Sequence, residues 1–127
     1  MRDNILDVLA LGNIIVGDGA IGTSLQARGL APGAMPEAWN IEHPQEIRDL
    51  HRSYLDVGAQ FITTNTFGGN RYRLLQAGLS ERLGEINRLG VQLAREAVGD
   101  RAWVAASVGP TGQLLEPFGT VSLEQAE

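Results

Sequence analysis

An α/β fold with parallel strands is the class this sequence predicts, and three observations carry that expectation. An apolar run at Ile14 to Val16 leads straight into the glycine-rich turn Gly17-Asp18-Gly19-Ala20-Ile21-Gly22-Thr23. The segments Phe61 to Asn70 and Trp103 to Gly112 repeat the design, each a short strand-like run ending in small polar residues and glycine. The stretches between them carry apolar residues at helical spacing. The resulting order of strand, helix, strand, helix, strand implies parallel strands joined by right-handed crossovers, with function at the strands' carboxyl ends.

In chain order, residues 3 to 12 form a short amphipathic stretch, with Ile5, Leu6, Val8, Leu9 and Leu11 ahead of Gly12. The strand Ile14 to Val16 follows, then the loop 17 to 23, then one or two helical turns from Ser24 to Arg28 that stop at Gly29. Residues 30 to 43, with Pro32, Gly33 and Pro36, read as a loop long enough to suggest function. Pro44 suits a first helical turn, and Ile47, Leu50, His51, Tyr54 and Val57 recur at helical spacing before Gly58. A short helix is expected from Asn70 to Ala77, closed by Gly78. A long one runs from about Glu81 to Val98, with Leu83, Ile86, Gly90, Leu93, Ala94 and Ala97 on one face and Gly99 as its stop. Ser122 followed by Gln125 is a capping-box signature for a last helix.

Composition sets the bounds. The 127 residues suffice for one ordinary domain, with 43% hydrophobic residues for a core and 20% charged residues. A formal net charge of −5, with Arg71, Arg73, Arg82 and Arg88 interspersed among acids, argues against nucleic acid as a partner. No apolar run is long enough to span a bilayer and Met1-Arg2-Asp3 does not open a signal peptide, so a cytoplasmic location is expected. Cysteine is absent, which leaves no disulfide from which to infer a compartment. Lysine is absent too, which removes an aldolase-type reading through a Schiff base.

Several separated motifs, in order, then point to a family. DGAIGT at 18 to 23, Leu25-Gln26, Pro36-Glu37 with Trp39-Asn40, His51, Tyr54, TNTFG at 64 to 68 and GPTG at 109 to 112 before Glu116-Pro117 resemble the amino-terminal part of the homocysteine S-methyltransferase family. Within it, the pattern is most similar to the homocysteine-binding domain of cobalamin-dependent methionine synthases. The resemblance covers nearly the whole chain. It implies a TIM (βα)8 barrel of which residues 1–127 are the amino-terminal portion, about three βα units, lying before the strands that bear the zinc ligands. A closed barrel needs about 250 residues. A three-stranded piece exposes a strand edge and apolar surface, so self-association, aggregation or a missing partner is expected.

The resemblance also implies a chemistry. Family members bind homocysteine, hold zinc through three cysteines and transfer a methyl group to the substrate sulfur, giving methionine. A thiol of pKa about 8.5 is mostly protonated at neutral pH, and zinc keeps it as the nucleophilic thiolate. In the methionine synthase branch the methyl group comes from methylcobalamin, recharged by methyltetrahydrofolate on another domain; other branches use betaine or S-methylmethionine. This sequence departs from that pattern, because it has no cysteine and only two histidines, His43 and His51. No metal site is expected in it, and turnover by these residues alone is not expected. Two roles stay open: part of a homocysteine S-methyltransferase carrying half the substrate pocket, or a non-catalytic remnant or split-barrel subunit that binds a partner chain or an amino acid.

The candidate substrate residues are Asp18, Gly19, Ala20, Thr23, Glu37, Asn65, Gly109, Pro110 and Thr111. By resemblance the turn at 18 to 20 lies beside homocysteine. Its backbone donors are expected to meet the substrate carboxylate, while Asp18 fixes the turn or meets the ammonium group. Each candidate has a structural rival. Asp18 can instead cap neighbouring N–H groups, Glu37 can be a solvated acid, Asn65 can hold a structural hydrogen bond, and 109–112 can be a simple tight turn. Trp39 reads as a packing residue over the barrel mouth rather than a ligand stacker, and His51 as a core histidine.

Overall fold

The computed structural model describes residues 3–127. Helix α1 (Ile5–Ala10) is capped by Asn4, whose side chain accepts from the Leu6 amide. None of its residues is buried, so its apolar side chains cover no core here. Ile14 to Val16 do not form a strand. Only a parallel bridge between Gly17 and Phe61 forms, supported by Gln60 N–H to the Val16 carbonyl at 2.7 Å and Asp18 N–H to the Phe61 carbonyl at 3.1 Å. Ile14 is 89% exposed, and the Val16 amide donates to the Gln60 side chain rather than to a backbone carbonyl. Gly17 faces the Phe61 ring, where a Cβ would stand 2.5 Å from the ring edge.

Helix α2 (Gly22–Ala27) ends before Gly29, whose φ of 113° requires glycine. The expected loop 30 to 43 is more ordered than a loop. Pro36 opens a single 3₁₀ turn, Pro36–Ala38, that runs into α3 (Trp39–Glu42), with Trp39 and Asn40 buried. Helix α4 (Pro44–Asp56) buries Ile47, Leu50, His51 and Leu55. Val57, expected on that face, points to solvent.

Strand β1 (Phe61–Thr63) is followed by α5 (Arg71–Gln76), capped by Asn70. A 3₁₀ turn at Ser80–Arg82 leads into α6 (Leu83–Val98), which buries Ile86, Gly90, Leu93, Ala94, Ala97 and Val98. Strand β2 (Trp103–Ala105) pairs parallel with β1, matching Phe61 to Trp103, Ile62 to Val104 and Thr63 to Ala105. Helix α7 (Leu123–Ala126) carries the complete capping box of Ser122 and Gln125.

The core lies where α4 and α6 meet each other and β1. Leu25, Leu30, Trp39, Ile47, Leu50 and Leu93 form one cluster. Leu55, Ala59, Ile62, Val98 and Ala102 form the other. Gly90 lets α6 approach the carboxyl end of β1, since a Cβ there would meet the Thr66 methyl at 2.5 Å and the Asn40 amide nitrogen at 2.9 Å. No helix among the described residues is long and apolar enough to cross a membrane.

Candidate functional site

Parallel pairing brings three chain segments to one end of the sheet: the turn after Gly17, the residues after β1 and the residues after β2. Beside them opens a cavity of about 460 Å³ whose lining includes Gly19, Met35, Glu37, Thr63, Asn65 and Arg73. Gly19, Glu37 and Asn65 of the predicted site residues therefore share one cavity. Asp18, Ala20 and Thr23 stand beside it without lining it, and 109–111 lie elsewhere.

Asp18 ties two strand ends together. Its carboxylate accepts from the Thr63 N–H at 2.9 Å and from the Thr63 hydroxyl at 3.0 Å. Burial raises its pKa above the ordinary aspartate value, and the hydrogen bonds from Thr63 oppose that rise. The turn itself is held from α4. Tyr54 donates its hydroxyl to the Ala20 carbonyl at 2.7 Å, and the Ser24 hydroxyl donates to the same oxygen at 2.8 Å. A Cβ on Gly19 would come within 3.1 Å of the Tyr54 ring and hydroxyl, so glycine lets the turn sit close under that ring. Among the described residues the Gly19 and Ala20 amides have no hydrogen-bond acceptor.

Glu37 is only 4% exposed, and its Oε1 accepts from the Gly68 N–H. A buried carboxyl group with one donor is poorly compensated unless something else meets it. Gly68 lets the Glu37 carboxylate approach closely, since a Cβ there would stand 3.0 Å from Glu37 Oε1. Asn65 is bound into a network behind the cavity wall. Its Nδ2 donates to the Pro36 carbonyl at 2.8 Å and to Asn40 Oδ1 at 2.9 Å. Asn40 Nδ2 in turn donates to the Asn65 and Ile86 carbonyls at 2.8 and 3.1 Å. Thr64 and Thr66 share a 2.6 Å hydroxyl contact and bind the Ser107 backbone, fastening the ends of β1 and β2 together.

Gly109 lines a separate cavity of about 230 Å³ with Asn87 and Val91, and it packs tightly on the Phe67 carbonyl. The Pro110 carbonyl accepts from Asn70, and Thr111 closes a small turn with Gln113. Sequence reasoning missed Thr63 and Arg73 as neighbours of the cavity. Thr63 sat in a strand without distinguishing chemistry, and Arg73 was one of several arginines on polar helices. Trp39 packs into the core cluster with Leu25 and Leu50, its ring 4.5 Å from that of His43. His51 is fully buried, and neither ring nitrogen has a partner among the described residues. Burial pushes its pKa down to about 4.

The described residues do not fit a catalytic metal. Among the described residues no group of three or more His, Cys, Asp or Glu could hold an ion. His51 is enclosed in the core.

A family model described as homocysteine S-methyltransferase matches residues 15–127. The chain is 33% identical to a methionine synthase of Mycobacterium tuberculosis, an alignment covering 87% of this chain and 10% of that protein. It is 31% identical to betaine–homocysteine S-methyltransferase 1 of Xenopus laevis, covering 90% of this chain and 30% of that protein. Among solved structures, the metallated form of the homocysteine methyltransferase MmuM from Escherichia coli superposes with a TM-score of 0.73 at 31% identity. That match covers 86% of this chain and 42% of the MmuM chain, so the sequence spans less than half the length of each of these relatives.

Proposed function

The chain belongs to the homocysteine S-methyltransferase family, and from that premise we propose that it forms the amino-acid end of a homocysteine pocket in a methionine synthase type methyltransferase. In this reading residues 1–127 are a partial homocysteine-binding domain, the first three βα units of a (βα)8 barrel, working in the cytoplasm. The observation that carries the proposal is the cavity at the carboxyl ends of the parallel segments, walled by Gly19, Glu37, Thr63 and Asn65. Ligand sites at that end of parallel sheets follow from the topology itself.

The roles divide by what each group still has free. Asp18, its oxygens engaged by Thr63, fixes the turn. The unpartnered amides of Gly19 and Ala20 are donors for an anionic group. Thr23 supports the turn from α2, Asn65 stiffens the wall, and Gly109, Pro110 and Thr111 bound the neighbouring strand end. Zinc, cobalamin and methyltetrahydrofolate belong, in this reading, to parts of the protein beyond these residues, since no metal-binding cluster stands among those described. The protein's own contribution is positioning: it holds the substrate's polar end so that the sulfur is presented in one direction. The same lack of a metal cluster favours a second reading, a non-catalytic subunit that binds an amino acid or the remaining barrel.

Amide NMR titration of the chain with homocysteine tests the proposal. Shifts are expected at Gly19, Asn65 and Gly68. Saturating homocysteine that moves none of these resonances would sink it.

A further inference from the structure

The outer edge of β2 carries none of the devices that keep strand edges apart. The Trp103 N–H donates to the Gln60 carbonyl and the Ala105 carbonyl accepts from the Thr64 N–H, so residues 103 and 105 face β1. Alternation along the strand turns the N–H and C=O groups of Val104 and Ala106 to the open side. Neither group of Ala106 meets a backbone partner among the described residues, and no described strand lies on that side. Natural edges are blunted by charge, proline or a bulge. From Ala102 to Pro110 this chain carries no charge, and its one proline there stands at the end of the run. Beside the edge, Val108 and Val91 of α6 are exposed and line the 230 Å³ cavity together with Ala106.

We propose that this edge pairs with the same edge of a second copy of the chain, the two strands running antiparallel about a two-fold axis at Ala105. Val104 then exchanges N–H to C=O bonds with the partner's Ala106, Ala106 does the same with the partner's Val104, and Ala105 faces its own counterpart. Such a contact is self-complementary, as a two-fold interface must be. The small side chain of Ala105 suits the close approach of a pair without hydrogen bonds. The exposed area fits this occupant. The chain presents 7850 Å² to solvent, against about 6,600 Å² for a compact monomer of 13.6 kDa. That excess, about 1,300 Å², is more than the roughly 800 Å² that each partner of a standard interface buries. At the opposite margin Ile14 to Val16 form no strand, so a head-to-tail array has no second ladder on which to grow. Residues 104–106 do not line the cavity of Glu37 and Asn65, so pairing and homocysteine binding succeed or fail separately.

Sedimentation of the 127-residue chain over a range of concentrations, with two variants, tests the proposal. The wild type should reach a dimer and stop there. Ala106→Pro removes the outward N–H without touching the bonds to β1, a place where an edge strand tolerates proline, and should raise the dimer dissociation constant about tenfold or more. Circular dichroism checks that this variant keeps its fold. Ala105→Cys, in a chain with no cysteine of its own, places two thiols across the axis with Cα atoms about 4.5 Å apart, within disulfide reach. Mild oxidation should convert it to a covalent dimer, while Val57→Cys, at the exposed end of α4, should stay single. A monomer at every concentration would overturn the pairing and leave the edge to a strand of another kind, as barrel closure requires. So would assemblies that grow beyond two, or a dimer that crosslinks at position 57 and not at 105.

Discussion

The interface between α4 and α6 and the two margins of the sheet are built from the same kinds of residue and end in opposite states. Between the helices, Ile47, Leu50, Ile86 and Leu93 are fully or almost fully buried, and Gly90 brings the backbone of α6 close to the end of β1. At the margins, Ile14, Val108 and Phe118 are 89%, 88% and 86% exposed, and β2 has no strand on its outer side among the described residues. Burying an apolar side chain contributes about 1.5–3 kcal/mol, so the first region holds the fold and the second adds little until something covers it. The difference teaches that a helix layer can be complete while its sheet is not. Each helix finds its partner within two crossovers, whereas a sheet edge needs another strand.

Truncation of one residue on each side gives the largest contrast. Leu93→Ala, in the helix interface, should lower the unfolding free energy by about 2–5 kcal/mol. Phe118→Ala at the margin should change it by no more than about 0.5 kcal/mol. Urea denaturation of both variants checks this. Equal effects would mean that the margin is covered in solution, and sedimentation would then show an oligomer.

A second test uses pH within the buried region. The His51 ring is neutral in the folded protein, with its pKa pushed from 6.5 to about 4. As pH falls below 6.5, the unfolded chain takes up a proton that the native state refuses. The stability present above pH 6.5 is therefore lost toward pH 4, by about 2 kcal/mol at pH 5. His51→Leu should remove most of that slope, while a substitution at the margin such as Val108→Ala should leave it intact. Denaturation midpoints at pH 7 and pH 5 give the comparison directly.

A third test lies at the cavity rim, which joins the two regions, and its effect is of the same order as that of His51. Asp18→Ala leaves the Thr63 N–H without its acceptor and should cost about 1–3 kcal/mol. Asp18→Asn should restore most of that, since an amide oxygen can accept from the Thr63 N–H and an amide NH₂ can donate to its hydroxyl. The raised Asp18 pKa means the native state keeps this proton longer than the unfolded chain does. Its contribution therefore declines as pH rises through the folded value, opposite in direction to that of His51, and the Asn variant should lack that decline in the same urea series.

Much of the helix layer was legible from local signals. Pro44, Gly58, Asn70, Gly78, Gly99 and the Ser122–Gln125 box mark helix ends because caps are decided by neighbouring residues. The family resemblance was legible as well, from separated motifs in order, and the family model matches residues 15–127. What local signals could not specify is where distant segments meet. Ile14 to Val16 has strand composition yet gains one bridge, because its partner contact is decided by Phe61 and Gln60, far along the chain. The order within 36–42 comes from Asn40 reaching Asn65 and Ile86, a tertiary bond that no spacing announces. The same holds for the cavity. Glu37 and Asn65 were visible as candidates, but the engagement of Asp18 by Thr63 and the presence of Arg73 depend on which strand ends and helices meet.

The bracing of the cavity wall by Tyr54, Asn40 and Asn65 has a kinetic consequence. These bonds hold the 18–20 turn and the Pro36 carbonyl to α4, α6 and β1, so the wall is ordered as soon as the chain has folded. A ligand arriving at such a preorganised surface gives up its own freedom but does not have to freeze a loop. Association should then be a single concentration-dependent step without a slow unimolecular phase, and differences among ligands should appear in how long they stay rather than in how fast they enter.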